Sequence, residues 1–259
     1  TLSAGVTSAA FTRLTLNANA VAVIPANLTL VCSDLTNTSG VNLAAGSSLT
    51  ISGNLQVTIR NVAAVVNNGG NITVNSGGII DVSNASINGG DGIRNNNNAI
   101  LTNNGSISVN GQTGAGDGIF NSNTSNFINS SVGTVTISQI ASGIRTNNGG
   151  TFVNNGGIIS ISNATSNGIR VGVSTGIFTN SNSGSLIITA CRQGISVFEG
   201  TFNNNSGADI LIQGTTLLDG INNRGTFINS GSGSTITINN TAMEGIMNND
   251  DAGNSATVW

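Results

Sequence analysis

Asp91 and Asp117 each stand directly before a Gly-Ile pair, 26 residues apart, and Asp219 and Glu244 do the same 25 residues apart. If that interval is one turn of a repeating structure, each carboxylate pair is stacked about 5 Å apart, near the separation that retaining glycosidases use. The same residues read as turn chemistry, because Asp-Gly is an ordinary turn dipeptide. Glycoside cleavage would also need a cleft, and no long inserted loop stands between the repeats to build one. Calcium takes six or more oxygen ligands, which neither pair brings in sequence. The chain has no His, which excludes a His-based triad and the usual zinc patterns. No Gly-rich loop lies between a strand and a helix to cradle phosphate. The sequence therefore assigns no catalytic residue, no metal ligand and no cofactor, and reads as a protein that is not an enzyme.

What remains is surface chemistry. All seven basic residues are Arg, against ten acidic ones, for a net charge of −3. Arg94, Arg145 and Arg170 share the place after Gly-Ile and are expected to point outward, where they either meet acidic glycans or serve solubility. Scattered Arg on an acidic chain makes no basic stripe, so nucleic acid is not a partner. The apolar runs are far too short to span a membrane. Ser106, Ser108, Thr134, Thr136, Ser160, Thr235 and Thr237 form an outward hydroxyl array similar to that of ice-binding solenoids. Ile158, Ile187 and Leu211 interrupt it, as a lateral apolar patch or as single exposed side chains.

These residues are placed by a strict repeat. Gly-Ile recurs at Gly92, Gly118, Gly143, Gly168, Gly194, Gly220 and Gly245, in steps of 26, 25, 25, 26, 26 and 25. Such regularity means one supersecondary unit stacked on copies of itself. Ile93, Ile119, Ile144, Ile169, Ile195 and Ile221 follow those glycines. Phe127, Phe152, Phe178, Phe202 and Phe227 recur on the same period, and both series are assigned to the core. Two residues after Leu101 and after each Phe stands Asn103, Asn129, Asn154, Asn180, Asn204 or Asn229. These are expected to form a ladder of amides bonded to their copies above and below, or else to mark a shared turn preference. A third segment alternates, as in Ile159/Ile161 and Leu186/Ile188. Alternation of period two without a helical period gives three short strands per coil. The fold is therefore all-β, a single-stranded parallel β-helix (β-solenoid), right-handed, with about 25 residues per coil in nine or ten coils. One coil buries too few apolar side chains to offset the ordering of its backbone, so coils need neighbours.

Three regions are expected: 1–60, irregular first coils or a β cap; 61–248, regular repeats; and 249–259, a loop and terminal strand at an open end. Thr1 is not an initiator Met, so the chain is expected to be a processed form, with an export signal removed, or a fragment. Cys32 and Cys191 lie about six coils apart, close to 30 Å at about 4.8 Å per coil, too far to pair within a chain. They are either buried small hydrophobes or links between subunits. The chain ends partway round a coil with no evident cap, so one subunit's end is expected to sit on the next, through Leu2, Phe11, Val258 and Trp259. A head-to-tail contact that does not close gives a filament.

The units "DGIRNNNNAILTNNGSISVNG" (Asp91 to Gly111) and "GIRTNNGGTFVNNGGIISISN" (Gly143 to Asn163) resemble those of bacterial surface β-helices. The resemblance, over residues 62–248, is to autotransporter passenger domains and filamentous-haemagglutinin-type adhesins. It implies secretion and an extracellular or cell-surface location. Two functions stay open: a structural subunit that assembles with itself head to tail, and an adhesin segment binding a glycan or host surface through a lateral face.

Overall fold

A computed structural model describes residues 8–34, 39–59, 62–85, 90–111, 116–172, 175–249 and 257–258. Each coil contributes one strand to each of three parallel ten-stranded sheets. The first sheet runs from Ser8–Phe11 to Thr235–Asn239, the second from Leu14–Leu16 to Ile246–Asn248, and the third from Val21–Ile24 to Thr257–Val258. Every strand except the first and last of each sheet pairs with its counterparts one coil before and after, so the molecule is a β-solenoid without helices among the described residues. The described strands before residue 60 enter the same three sheets as the later repeats: Thr29–Asp34, Val41–Leu43 and Ser48–Ile51 make one coil.

Register places like residues on like. Ile93, Ile119, Ile144, Ile169, Ile195 and Ile221 form one continuous buried column in the second sheet. In the third sheet Leu101 is followed by Phe127, Phe152, Phe178, Phe202 and Phe227, all buried. Neighbouring rings in that column are stacked, with centroids 4.3 to 5.0 Å apart and planes within 9°. Parallel stacking follows from the strand spacing of about 4.8 Å, which leaves identical rings little other choice. The first sheet completes the core with its alternating aliphatic pairs, such as Ile159 and Ile161.

The glycine of Gly-Ile is set by a close approach rather than by a turn. A Cβ at Gly143 would lie 2.4 Å from the Ile161 Cγ2 and 2.5 Å from the carbonyl oxygen of Gly168, one coil on. Any side chain would separate the coil from its neighbour and from the first sheet. In the tight turns positive φ falls on Asn, as at Asn97, Asn98, Asn123, Asn148 and Asn182, and on other glycines such as Gly46 and Gly149, residues that tolerate it.

Candidate functional site

Two kinds of side chain repeat along this rod: those that lock coil to coil and those displayed on its flanks. The locking set includes the six asparagines after the Leu101/Phe column. The Asn103 amide donates to Asn129 Oδ1 at 2.8 Å, Asn129 to Asn154 at 2.8 Å, Asn154 to Asn180 at 2.8 Å, Asn180 to Asn204 at 2.9 Å and Asn204 to Asn229 at 2.7 Å. Each internal amide also donates to a carbonyl of its own turn, as Asn154 does to Gly157 at 2.9 Å. Asn103 through Asn204 are fully buried, so these bonds answer polar groups that water cannot reach.

A second amide ladder, not foreseen in the sequence, runs in the second sheet. Asn67 donates to Asn95 at 2.9 Å and Asn95 to Asn121 at 2.8 Å. Thr146, Val171 and Val197 then occupy the column before Asn223 donates to Asn248 at 2.8 Å. Its signal is Asn two residues after the Ile of Gly-Ile, present in only some repeats.

On the outer face of the second sheet Arg94, Phe120, Arg145 and Arg170 are consecutive rungs of one column. The Arg94 and Arg145 guanidinium carbons stand 5.8 and 5.2 Å from the Phe120 ring centroid, within cation–π range. Beside them lie Asp91 and Asp117, both buried. Asp91 accepts from Arg94 Nε at 2.8 Å and from the Asp117 backbone N–H at 3.0 Å. Asp117 meets Arg145 at 3.6 Å. The carboxylates considered as a glycosidase pair are thus engaged in holding turns and arginines. Asp219 behaves likewise, accepting from the Glu244 backbone N–H and the Asn222 amide, both at 3.2 Å. Among the described residues no group of three or more His, Cys, Asp or Glu could hold a metal.

Burial first, and the Asp91 carboxylate second, push the Asp117 carboxyl up from 3.8 to about 6, while Arg145, the Ser142 hydroxyl and Arg170 pull it back. The folded value lies above the unfolded one, so the folded state binds the extra proton. Its stabilising contribution is full below about pH 4 and is lost as pH rises through about 6. Urea denaturation should therefore show stability falling over that window, by on the order of 2–3 kcal/mol at most. Asp117→Asn should remove this slope. The same slope in the variant would contradict the assignment.

The first sheet displays the hydroxyl array. Ser106, Thr134 and Ile158 share one column, and Ser108, Thr136, Ser160, Ile187, Leu211 and Thr237 the next. Ile187 and Leu211 are adjacent, whereas Ile158 stands apart from them in the neighbouring column. A further column, Ser33, Thr58, Ser83, Asn110, Ser138, Ser162, Thr189, Gln213 and Asn239, is polar throughout.

Both cysteines are free thiols buried in the core, where desolvation pushes each up to about 11. Of the residues expected at a subunit joint, Phe11 is half-exposed in register with Cys32, and the Val258 backbone pairs in register with Phe227. Leu2 and Trp259 lie outside the described residues. No described helix is long and apolar enough to cross a membrane.

No protein-family model matches the chain, and no curated protein matches it. Among solved structures it is similar to the crystal structure of a TibC-catalysed hyper-glycosylated fragment of TibA. That similarity has 16% identity, 97% coverage of this chain, 99% of that chain and a TM-score of 0.25. The fold assignment rests on the strand registers given above.

Proposed function

We propose that the protein is a non-enzymatic structural rod of an extracellular or cell-surface assembly, whose copies stack head to tail through their coil faces into a filament. The observation that supports this is the likeness of successive coils. From Phe127 to Asn229 successive coils join through the same three strand registers, amide bond and stacked ring, and the earlier coils keep the registers with aliphatic residues in those columns. A surface that matches its neighbour within a chain matches the corresponding surface of another copy, and such a heterologous contact need not close. The flanks, bearing Ser, Thr, Asn and few charges, stay solvated while the faces join. In sedimentation velocity across a wide concentration range, the purified chain should shift from a short rod to growing polymers. A single species at every concentration would contradict this function.

A second reading, an adhesin segment that binds glycan through a lateral face, is favoured by the Arg94–Phe120–Arg145–Arg170 column.

A further inference from the structure

Arg145 and Arg170 face each other as direct register partners on neighbouring strands, about 4.8 Å apart along the rod. Like charges in that relation repel across neighbouring strands. Only part of the pair's charge is answered. Arg145 meets Asp117 through one guanidinium nitrogen at 3.6 Å, and its Nε has no hydrogen-bond partner. Arg170 has no carboxylate within ion-pair distance among the described residues. Phe120 holds the Arg145 guanidinium by its ring, which fixes that side chain at little further entropic cost when a ligand arrives. The next rungs are Ser196 and Asn222, two polar side chains, the latter with its amide nitrogen already donating to Asp219.

We propose that Arg145 and Arg170 clamp the carboxylate of an acidic saccharide laid along this flank, with Ser196 and Asn222 meeting its hydroxyls. This rests on the lateral-binding reading and is independent of head-to-tail stacking. Charge complementarity selects the carboxylate, because two guanidinium forks bind one anion through charge-assisted hydrogen bonds. The polar rungs select a sugar over a peptide, which would need a free strand edge or side-chain pockets. The site is also tuned by acidity. Asp117 is faced by Asp91, Arg145, Arg170 and the Ser142 hydroxyl, and Arg94 is held away by Asp91. Protonation of Asp117 releases Arg145 to the ligand, while a uronic acid remains ionised.

The test is calorimetric titration of the full chain with oligogalacturonate, with its methyl ester as the neutral isostere and oligoglutamate as a non-saccharide anion. Oligogalacturonate should bind, the ester and oligoglutamate about tenfold or more weakly, and Arg170→Gln should cost about tenfold, the worth of one charge-assisted bond. Binding should tighten from pH 7.5 to pH 5.5 in the native chain and be tight at both in Asp117→Asn. If oligogalacturonate binds and Arg170→Gln binds equally well, this clamp is wrong while lateral binding stands. Equal binding of oligoglutamate overturns the saccharide assignment. If neither oligogalacturonate nor any member of a neutral glycan array binds, the lateral-binding reading fails with it.

Discussion

Phe178→Ala will lower the stability of the chain by about 3–5 kcal/mol, the range for removing a fully buried aromatic side chain. Phe178 is 0% exposed, and its ring stacks on Phe152 and Phe202 at centroid distances of 5.0 and 4.9 Å. The substitution opens a cavity in mid-stack and forfeits two ring contacts, each worth about 0.5–1.5 kcal/mol beyond burial. Collapse around the gap is restricted, because the strand ladders on either side fix the coil spacing. Phe178→Leu should cost clearly less, since Leu101 already fills the same column beside Phe127. Chemical denaturation of the three proteins would measure this. Equal losses for Ala and Leu would mean that the column is not packed as described.

Asn154→Asp will destabilise the rod by about 3–5 kcal/mol near neutral pH, although it changes almost no volume. The Asn154 amide group donates to Asn180 Oδ1 and to the Gly157 carbonyl, and its oxygen accepts from Asn129. A carboxylate there keeps the acceptor but turns an oxygen towards two other acceptors at a site fully closed to water. Burial would raise that carboxyl above its unfolded value, and once protonated it can donate. Relative to the native chain, the deficit should therefore be smallest below about pH 4 and grow as pH rises. A loss independent of pH would indicate that the amide orientation is not what the site requires.

The core and the coil were legible in sequence because their signals are periodic and chemically singular. Gly-Ile recurs because no Cβ fits between Gly143 and the Gly168 carbonyl, and Phe recurs because rings one coil apart can stack. The first coils were harder to read. There Leu14, Val41 and Val65 stand in the second-sheet column, and Ala22, Leu49 and Ile72 in the third. Any aliphatic residue that fills the space will serve, so register holds while the marker vanishes. Asn75 shows the same effect. Val74, not Asn75, occupies the Asn103 position, and Asn75 bonds Ser52 instead.

The flank was legible as to residues but not as to relations. Arg94, Arg145 and Arg170 could be placed on one column by counting, yet Phe120 between the first two was hidden because it varies from the Arg pattern. The burial of Asp91 and Asp117, and their use by the neighbouring arginines and backbone, depends on side-chain contacts within and between coils. No spacing rule reports that.

Cryo-electron microscopy of the concentrated, purified chain decides whether one copy's coil face serves as the next copy's neighbour. The expected image is an unbranched filament in which the strand repeat of about 4.8 Å continues across each subunit boundary. Separate rods, or filaments joined through their flanks with a break in that repeat, would contradict it.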